Sequence, residues 1–313
     1  NVDLTIKIDK GNLYKIDSIY LSGGTEISKK LISRYIDIKP GDIYDEEKFI
    51  EISQKIDETE FLSNTTAPAI EFHKQNADLY LFLTNKKSNS FSGVLGFLPD
   101  VENEKKILIT GDINLKILNT FKIGETIKFS WQKYQTKTQN LDILLSFPYL
   151  AGTQFGIKEN FIFEKKDTSF LKINNLADLQ FFTGGTNYIS VFAKFSNSQL
   201  LNKLIAQNFE YNNLKSTIYG FSFFNQKFDY SLNPSKGYSF LLKSGIGTKT
   251  LKDSTSSEQF DNELNIELYF RIYKKTVLKI SNYFFKSSAY FQFGFYVYLI
   301  LLKVITQLSS IYF

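Results

Sequence analysis

The feature that most constrains this chain is a strict two-residue alternation that sets in after Lys86-Lys87 and persists to about residue 285. Ile107, Ile109, Ile113, Leu115 and Ile117 alternate with Thr110, Asp112, Asn114 and Lys116. Ile127, Phe129 and Trp131 alternate with Lys128, Ser130 and Gln132, and Leu264, Ile266, Leu268 and Phe270 with Glu263, Asn265, Glu267 and Tyr269. Similar runs lie near 139–147, 154–164, 169–181, 187–196, 213–224, 237–247 and 276–285. Side chains of a β-strand point to opposite faces in turn, so each run predicts a strand with one apolar and one polar face.

Periodicity alone leaves two architectures open. In a soluble sandwich the apolar faces pack on a second sheet and the polar faces meet water. In a membrane barrel the apolar faces meet lipid and the polar faces line a wet lumen. Length favours the barrel, because the runs have about 9–13 residues where soluble strands average nearer 5–6 and a tilted spanning strand needs roughly 9–11. A sheet in hydrocarbon must also close, since an open edge leaves amides without partners. Tight connections (Asn119-Thr120 with Gly124; Lys165–Asp167; Tyr273–Lys275) are interspersed with longer polar ones (Gln199–Asn213; Thr248–Gln259), as a barrel meander requires.

Ahead of this ladder, residues 11–86 read as a compact α/β unit in the order β-α-α-β-β. A strand through Tyr14, Ile16, Ile19 and Leu21 meets the turn signal Gly23-Gly24. Ser28 opens a helix whose Leu31, Ile32, Tyr35 and Ile36 share one face, and Pro40-Gly41 ends it. Asp45 caps a second helix with Phe49, Ile52 and Ile56 as its buried stripe. Strands follow near Ala67–His73 and Ala77–Leu83.

That order, with Gly11, Tyr14-Lys15-Ile16, Gly23-Gly24 and the phrase Ile38-Lys39-Pro40-Gly41-Asp42-Ile43-Tyr44-Asp45, resembles a polypeptide-transport-associated (POTRA) domain. On the same resemblance Asn1–Lys10 is the last strand of a preceding repeat. The junction Lys86-Lys87-Ser88-Asn89-Ser90-Phe91-Ser92-Gly93-Val94-Leu95-Gly96-Phe97 resembles the passage from POTRA to barrel in the BamA/TamA-like outer-membrane assembly family. Phe121-Lys122-Ile123-Gly124-Glu125, Phe147-Pro148-Tyr149 with Gly152, and Asn233-Pro234-Ser235-Lys236-Gly237 are similar to that family's early hairpins. Their order behind a POTRA-like domain carries the resemblance. It implies an α+β POTRA domain followed by an all-β antiparallel transmembrane β-barrel, here incomplete, with about 10–12 strands of an expected 16.

The chain departs from the family in two ways. No Arg-Gly pair occurs, although the family's lumen loop carries one, and after Ser287 the alternation stops. Tyr290–Leu302 is almost wholly apolar, and Lys303 is the sole charge of the tail. Residues 288–313 are therefore expected to be an aberrant apolar tail from a truncation or frame change, with a C-terminal transmembrane helix or a genuine last strand as alternatives. The chain opens inside a strand-like run without Met and reads as a processed or excised piece.

Composition narrows the chemistry. There is no cysteine and a single histidine, His73, so the sequence predicts neither a disulfide, nor a transition-metal site, nor a Ser-His-Asp triad. Asp45-Glu46-Glu47 sits at a helix N-terminus, where the macrodipole accounts for it, and Gly93–Gly96 and Gly184-Gly185 lack the context of a phosphate cradle. The chain is expected not to be an enzyme and to need no cofactor or metal. The net charge of +5 is dispersed among strand ends such as Lys86-Lys87 and Lys165-Lys166, so nucleic acid is not an expected partner.

What the resemblance implies is insertion or movement of unfolded β-proteins at the outer membrane, with the POTRA domain in the periplasm. The expected partners are unfolded outer-membrane β-barrel clients, periplasmic chaperones or accessory lipoproteins, and the lipid bilayer. An edge strand carrying Ala67, Ile70, Phe72 and His73 could bind a client strand by β-augmentation. The first barrel strand, with Phe91, Gly93, Leu95, Gly96 and Phe97, is expected to be short and weakly paired, forming a seam that admits the client. A two-partner secretion transporter, a passive porin or receptor barrel, and a soluble sandwich adhesin are the alternatives.

Overall fold

The computed structural model describes residues 12–100, 103–135, 138–166, 170–201, 213–229, 233–251, 256–273, 276–287 and 290–301; the expected strand at 1–10 and residues 302–313 of the tail lie outside them. The first domain runs β1 (Lys15–Ser22), α1 (Lys29–Ile36), α2 (Glu46–Asp57), β2 (Leu62–Asn64), β3 (Ala69–His73) and β4 (Asn76–Asn85). Both helices start where the sequence predicts. Ser28 Oγ accepts from the Leu31 amide at 3.2 Å and the Asp45 carboxylate from the Glu47 amide at 2.9 Å, each satisfying a free N–H of the first turn. Asp37 closes α1 in the left-handed conformation. Strand β4 forms the spine, with β1 parallel to it on one side and β3 and β2 antiparallel on the other. The short β2 adds a strand to the expected order, which becomes β-α-α-β-β-β.

The helices cover one face of this sheet. Ile32, Ile36, Ile52 and Ile56 meet Leu79, Leu81 and Leu83 in a core from which water is excluded. Each such side chain contributes about 1.5–3 kcal/mol through burial.

Among the described residues after the first domain the chain is a single twelve-stranded meander in sequence order: β5 (Ser90–Asp100), β6 (Asn103–Leu118), β7 (Thr126–Gln135), β8 (Thr138–Phe147), β9 (Phe155–Lys166), β10 (Phe170–Gly184), β11 (Asn187–Leu200), β12 (Leu214–Phe228), β13 (Gly237–Leu251), β14 (Ser256–Tyr273), β15 (Thr276–Ser287) and β16 (Tyr290–Leu301). Every neighbour is antiparallel, and among the described residues β5 and β16 remain unpaired edges. Residues 290–301, expected to begin an aberrant tail, instead pair with β15 from Ser287↔Tyr290 to Thr276↔Leu301. The described residues 290–301 are thus strand and not helix.

One face of the sheet is concave. Lys194 on β11 donates to Asp261 on β14 at 2.7 Å, across two intervening strands. In a flat sheet those backbones would stand roughly 14 Å apart, beyond the reach of both side chains. On the inner side β12 and β13 carry glycine where neighbouring atoms come close. A Cβ at Gly220 would lie 2.6 Å from the Phe192 ring and one at Gly247 only 1.9 Å from the Thr217 carbonyl.

Candidate functional site

The two faces of the sheet carry opposite chemistry. The concave face buries Asp178, Gln180, Ser190, Ser216, Ser222 and Asp261, joined by bonds such as Ser190 Oγ to Asp178 at 3.1 Å and Ser216 Oγ to Gln259 at 2.7 Å. The convex face presents Ile157, Leu179, Val191, Phe221, Ile246, Phe260 and Phe270, all exposed. A soluble domain buries the second set and solvates the first. Contiguous apolar exposure on this scale requires a non-aqueous neighbour.

Strand β3, the predicted client edge, pairs on one side with β4 and with no other strand among the described residues. It begins at Ala69, so Ala67 lies ahead of it, and Pro68, which has no amide proton to give a ladder, separates the two. Ile70 packs against the core, whereas Phe72 stays 44% exposed between Tyr14 (4.7 Å) and Tyr44 (5.1 Å). Ile70, Tyr44, Phe49 and Leu79 line a cleft of about 280 Å³ next to this edge. His73 stands 3.7 Å from Asp78 and, with Asp17, forms a three-residue group whose ligand atoms lie within 4.8 Å. Asp17 of β1 and Asp78 of β4, far apart in sequence from His73 or on another strand, are brought beside β3 by the sheet alone. His73 and Asp17 are exposed to solvent.

The predicted seam strand differs from expectation in length. β5 spans eleven residues and pairs continuously with β6 from Ser90↔Lys116 to Pro99↔Ile107. Gly93 and Gly96 sit within it without interrupting the ladder. β5 also departs from strict alternation. Phe91, Leu95 and Phe97 project on the convex side, yet Val94, 73% exposed, and Leu98 are apolar on the concave side too. Asn89 fastens the start of the strand, accepting from the Leu118 amide at 2.7 Å.

A third feature had no sequence signature. The helices of the first domain dock on the turns at one end of the sheet. Tyr149, held at φ 52, is buried between Tyr35 of α1 (4.9 Å) and Phe182 of β10 (4.6 Å), and its hydroxyl donates to the Gly185 carbonyl at 2.7 Å. The Gly185 amide donates to the Tyr35 carbonyl at 2.9 Å, and Arg34 Nε to the Gly152 carbonyl at 3.0 Å. Glu125, fully buried, accepts from the Phe121 amide at 2.7 Å and shapes the neighbouring turn. Burial and the Glu125 charge push the Tyr35 phenol well above its ordinary range, so it stays protonated. Phe121–Glu125 and Phe147–Tyr149, quoted above as hairpin motifs, are thus the sheet's share of this junction. Lys86 anchors the linker, its Nζ donating to the Thr59 carbonyl at 2.9 Å.

Comparison with known proteins follows this division. The POTRA family, described as surface antigen variable number repeat, matches residues 14–84. No curated protein matches the chain. Among solved structures, CdiB from Acinetobacter baumannii is similar with a TM-score of 0.53 and 13% identity, over 88% of this chain and 53% of that one. BamA from Haemophilus ducreyi lacking POTRA domains 1-3 (TM-score 0.47, 13% identity, 89% and 56% covered) and CdiB from Escherichia coli (0.49, 10%, 88% and 54%) also match. The chain spans a little over half the length of these structures. A POTRA domain leading into a long antiparallel meander defines a POTRA-plus-barrel protein. The likeness in fold to CdiB from Acinetobacter baumannii extends over both parts of the chain, with the sheet unclosed among the described residues.

Proposed function

We propose that the protein resides in the outer membrane, with its POTRA domain in the periplasm, and inserts or translocates unfolded β-barrel clients. The observation that carries this reading is the inverted burial of the twelve-stranded sheet, polar within and apolar without. A client strand first adds to the free edge of β3, where main-chain hydrogen bonds supply affinity and the cleft beside Ile70 and Tyr44 accepts alternate side chains. It then reaches β5, whose two-sided apolar surface suits a strand passing from water to lipid. Periplasmic chaperones or accessory lipoproteins would deliver clients to the exposed POTRA surface. The work is done by strand pairing, without a catalytic group, a cofactor or nucleic acid.

The chain is free of cysteine, so engineered pairs report cleanly. In the full-length protein, a disulfide between β5 and the strand that closes against it should stop client insertion, and reduction should restore it. Insertion that continues with the seam locked rejects the mechanism. Depletion of the protein should lower the level of many outer-membrane proteins; loss of one secreted protein alone would assign a transporter dedicated to a single client.

A further inference from the structure

The convex face is apolar along β9 and β10 except at two successive outward positions of the ladder. On β9 the outward residues run Phe155, Ile157, Glu159, Phe161, Phe163, and on β10 they run Phe181, Leu179, Ala177, Asn175, Ile173. Asn175 Nδ2 donates to Glu159 Oε1 at 2.5 Å, so the two form a joined polar pair in the middle of the apolar band. Beside it the surface is shallow, because Glu159 faces Ala177 across the ladder and Ala177 faces Ala193.

On the membrane reading above, this pair faces hydrocarbon. A charged side chain on the lipid face of a barrel is destabilising, most of all near the midplane. The single bond between the two leaves the second carboxylate oxygen and the second amide proton to be satisfied, and acyl chains offer neither donor nor acceptor.

We propose that Glu159 and Asn175, with the alanine shallow next to them, form the surface through which two copies of this protein pair side by side in the membrane. A two-fold axis along the membrane normal keeps each residue at its own depth and reverses left and right. It turns the joined pair of one copy onto that of the other, where the spare acceptor of Glu159 meets the spare donor of Asn175 twice over, as an isologous contact demands. Ala177 and Ala193 let the two sheets approach closely, which is the role of small residues between membrane segments. Another outward polar pair, Ser244 and Asn262 at 2.7 Å, is neutral and lacks the alanine neighbours, so it supplies a control.

The test uses the full-length protein in isolated outer membranes. Ala177→Cys should yield a disulfide-linked dimer on mild oxidation, because residues near a two-fold axis meet their own copies. Ser244→Cys, three strands farther round, should stay monomeric. Adding Glu159→Leu and Asn175→Leu to Ala177→Cys should abolish the dimer while the barrel remains folded. A monomer at Ala177→Cys in protein that is membrane-embedded, equal dimer at both positions, or a covalent adduct with a different protein would each overturn the proposal. Recovery of the protein in the soluble fraction would instead overturn the membrane reading, and the pairing with it.

Discussion

The POTRA domain and the twelve-stranded sheet draw on the same residue types and bury opposite ones. In the first, Ile32, Ile56 and Leu81 are shielded and Thr59 is the buried polar residue among those described. In the second, Asp178, Gln180 and Ser222 are shielded, while Val191, Phe221 and Ile246 are exposed. The POTRA domain packs its apolar side chains into a core between helices and sheet, to which Leu118, Tyr149 and Phe182 of the larger sheet add. The sheet has an interior held by polar contacts and needs a second, apolar solvent for its outside. Alternation has the same form in both settings, and what differs is the medium on the apolar side.

The largest expected effect tests the half of the comparison that depends on an internal core. Leu81→Ala leaves a cavity between β4 and the helices and should cost about 2–5 kcal/mol. Hydrogen exchange over residues 12–86 should rise throughout, with β11–β13 unchanged. Exchange that rises equally in the sheet would mean the two regions fold as one unit.

The next effect separates the two solvents. Phe221 on β12 and Ile50 on α2 are both exposed, at 51% and 69%. Phe221→Lys should weaken folding into bilayers by about 2–4 kcal/mol if its side chain meets acyl chains. Ile50→Lys should change stability by no more than about 0.5 kcal/mol, since it exchanges one water-facing side chain for another. A neutral Phe221→Lys would dissolve the distinction, because both faces would then be wet.

How much of this was legible in the sequence follows from the range of the interactions. Helix caps are local, and Ser28 and Asp45 stand where expected. The strands between 103 and 287 follow the alternation closely. Strand β16 was obscure because Tyr290–Leu301 lacks alternation, and only pairing with β15 identifies it as a strand. β2 is three residues long, too short for any periodic signal. β5 looked short because Gly93 and Gly96 interrupt its apolar pattern, although β6 carries its ladder past both. The junction was out of reach. Tyr35 reads as one more residue on the apolar face of α1, and nothing near it in sequence announces Tyr149, Phe182 or Gly185. The cluster of Asp17, His73 and Asp78 was hidden for the same reason, since three separate strands supply it.

That junction joins the two regions, and a smaller prediction sharpens its role. Tyr149→Phe keeps the ring between Tyr35 and Phe182 but removes the hydrogen bond to the Gly185 carbonyl. The loss should be about 0.5–1.5 kcal/mol, appearing as faster exchange in α1 and the turn at 184–187. Unaltered exchange there would mean that ring packing alone holds the two regions together.

The smallest effect concerns two carboxylates of the POTRA domain that face the sheet with opposite sign. Hydrogen bonding to Lys227 of β12, helped by the charges of Lys227 and Lys55, holds Glu51 below the ordinary carboxylate range despite its partial burial. Its contribution is present above the ordinary value of about 4.3 and is lost as pH falls through the lowered folded value. Burial pushes Glu58 upward beside Gly185, with the Gln54 hydrogen bond and Lys55 opposing. Its charged form is therefore a cost at pH above the raised value, and that cost fades as pH falls to the ordinary one. At neutral pH Glu51→Gln should loosen the docking of α2 on the turn at 184–187 and Glu58→Gln should tighten it, each by a few tenths of a kcal/mol. On acidification the Glu58→Gln difference should vanish first and the Glu51→Gln difference later, read by exchange in that turn. Shifts of the same sign, or differences that persist in acid, would show that these carboxylates do not govern how the POTRA domain seats against the sheet.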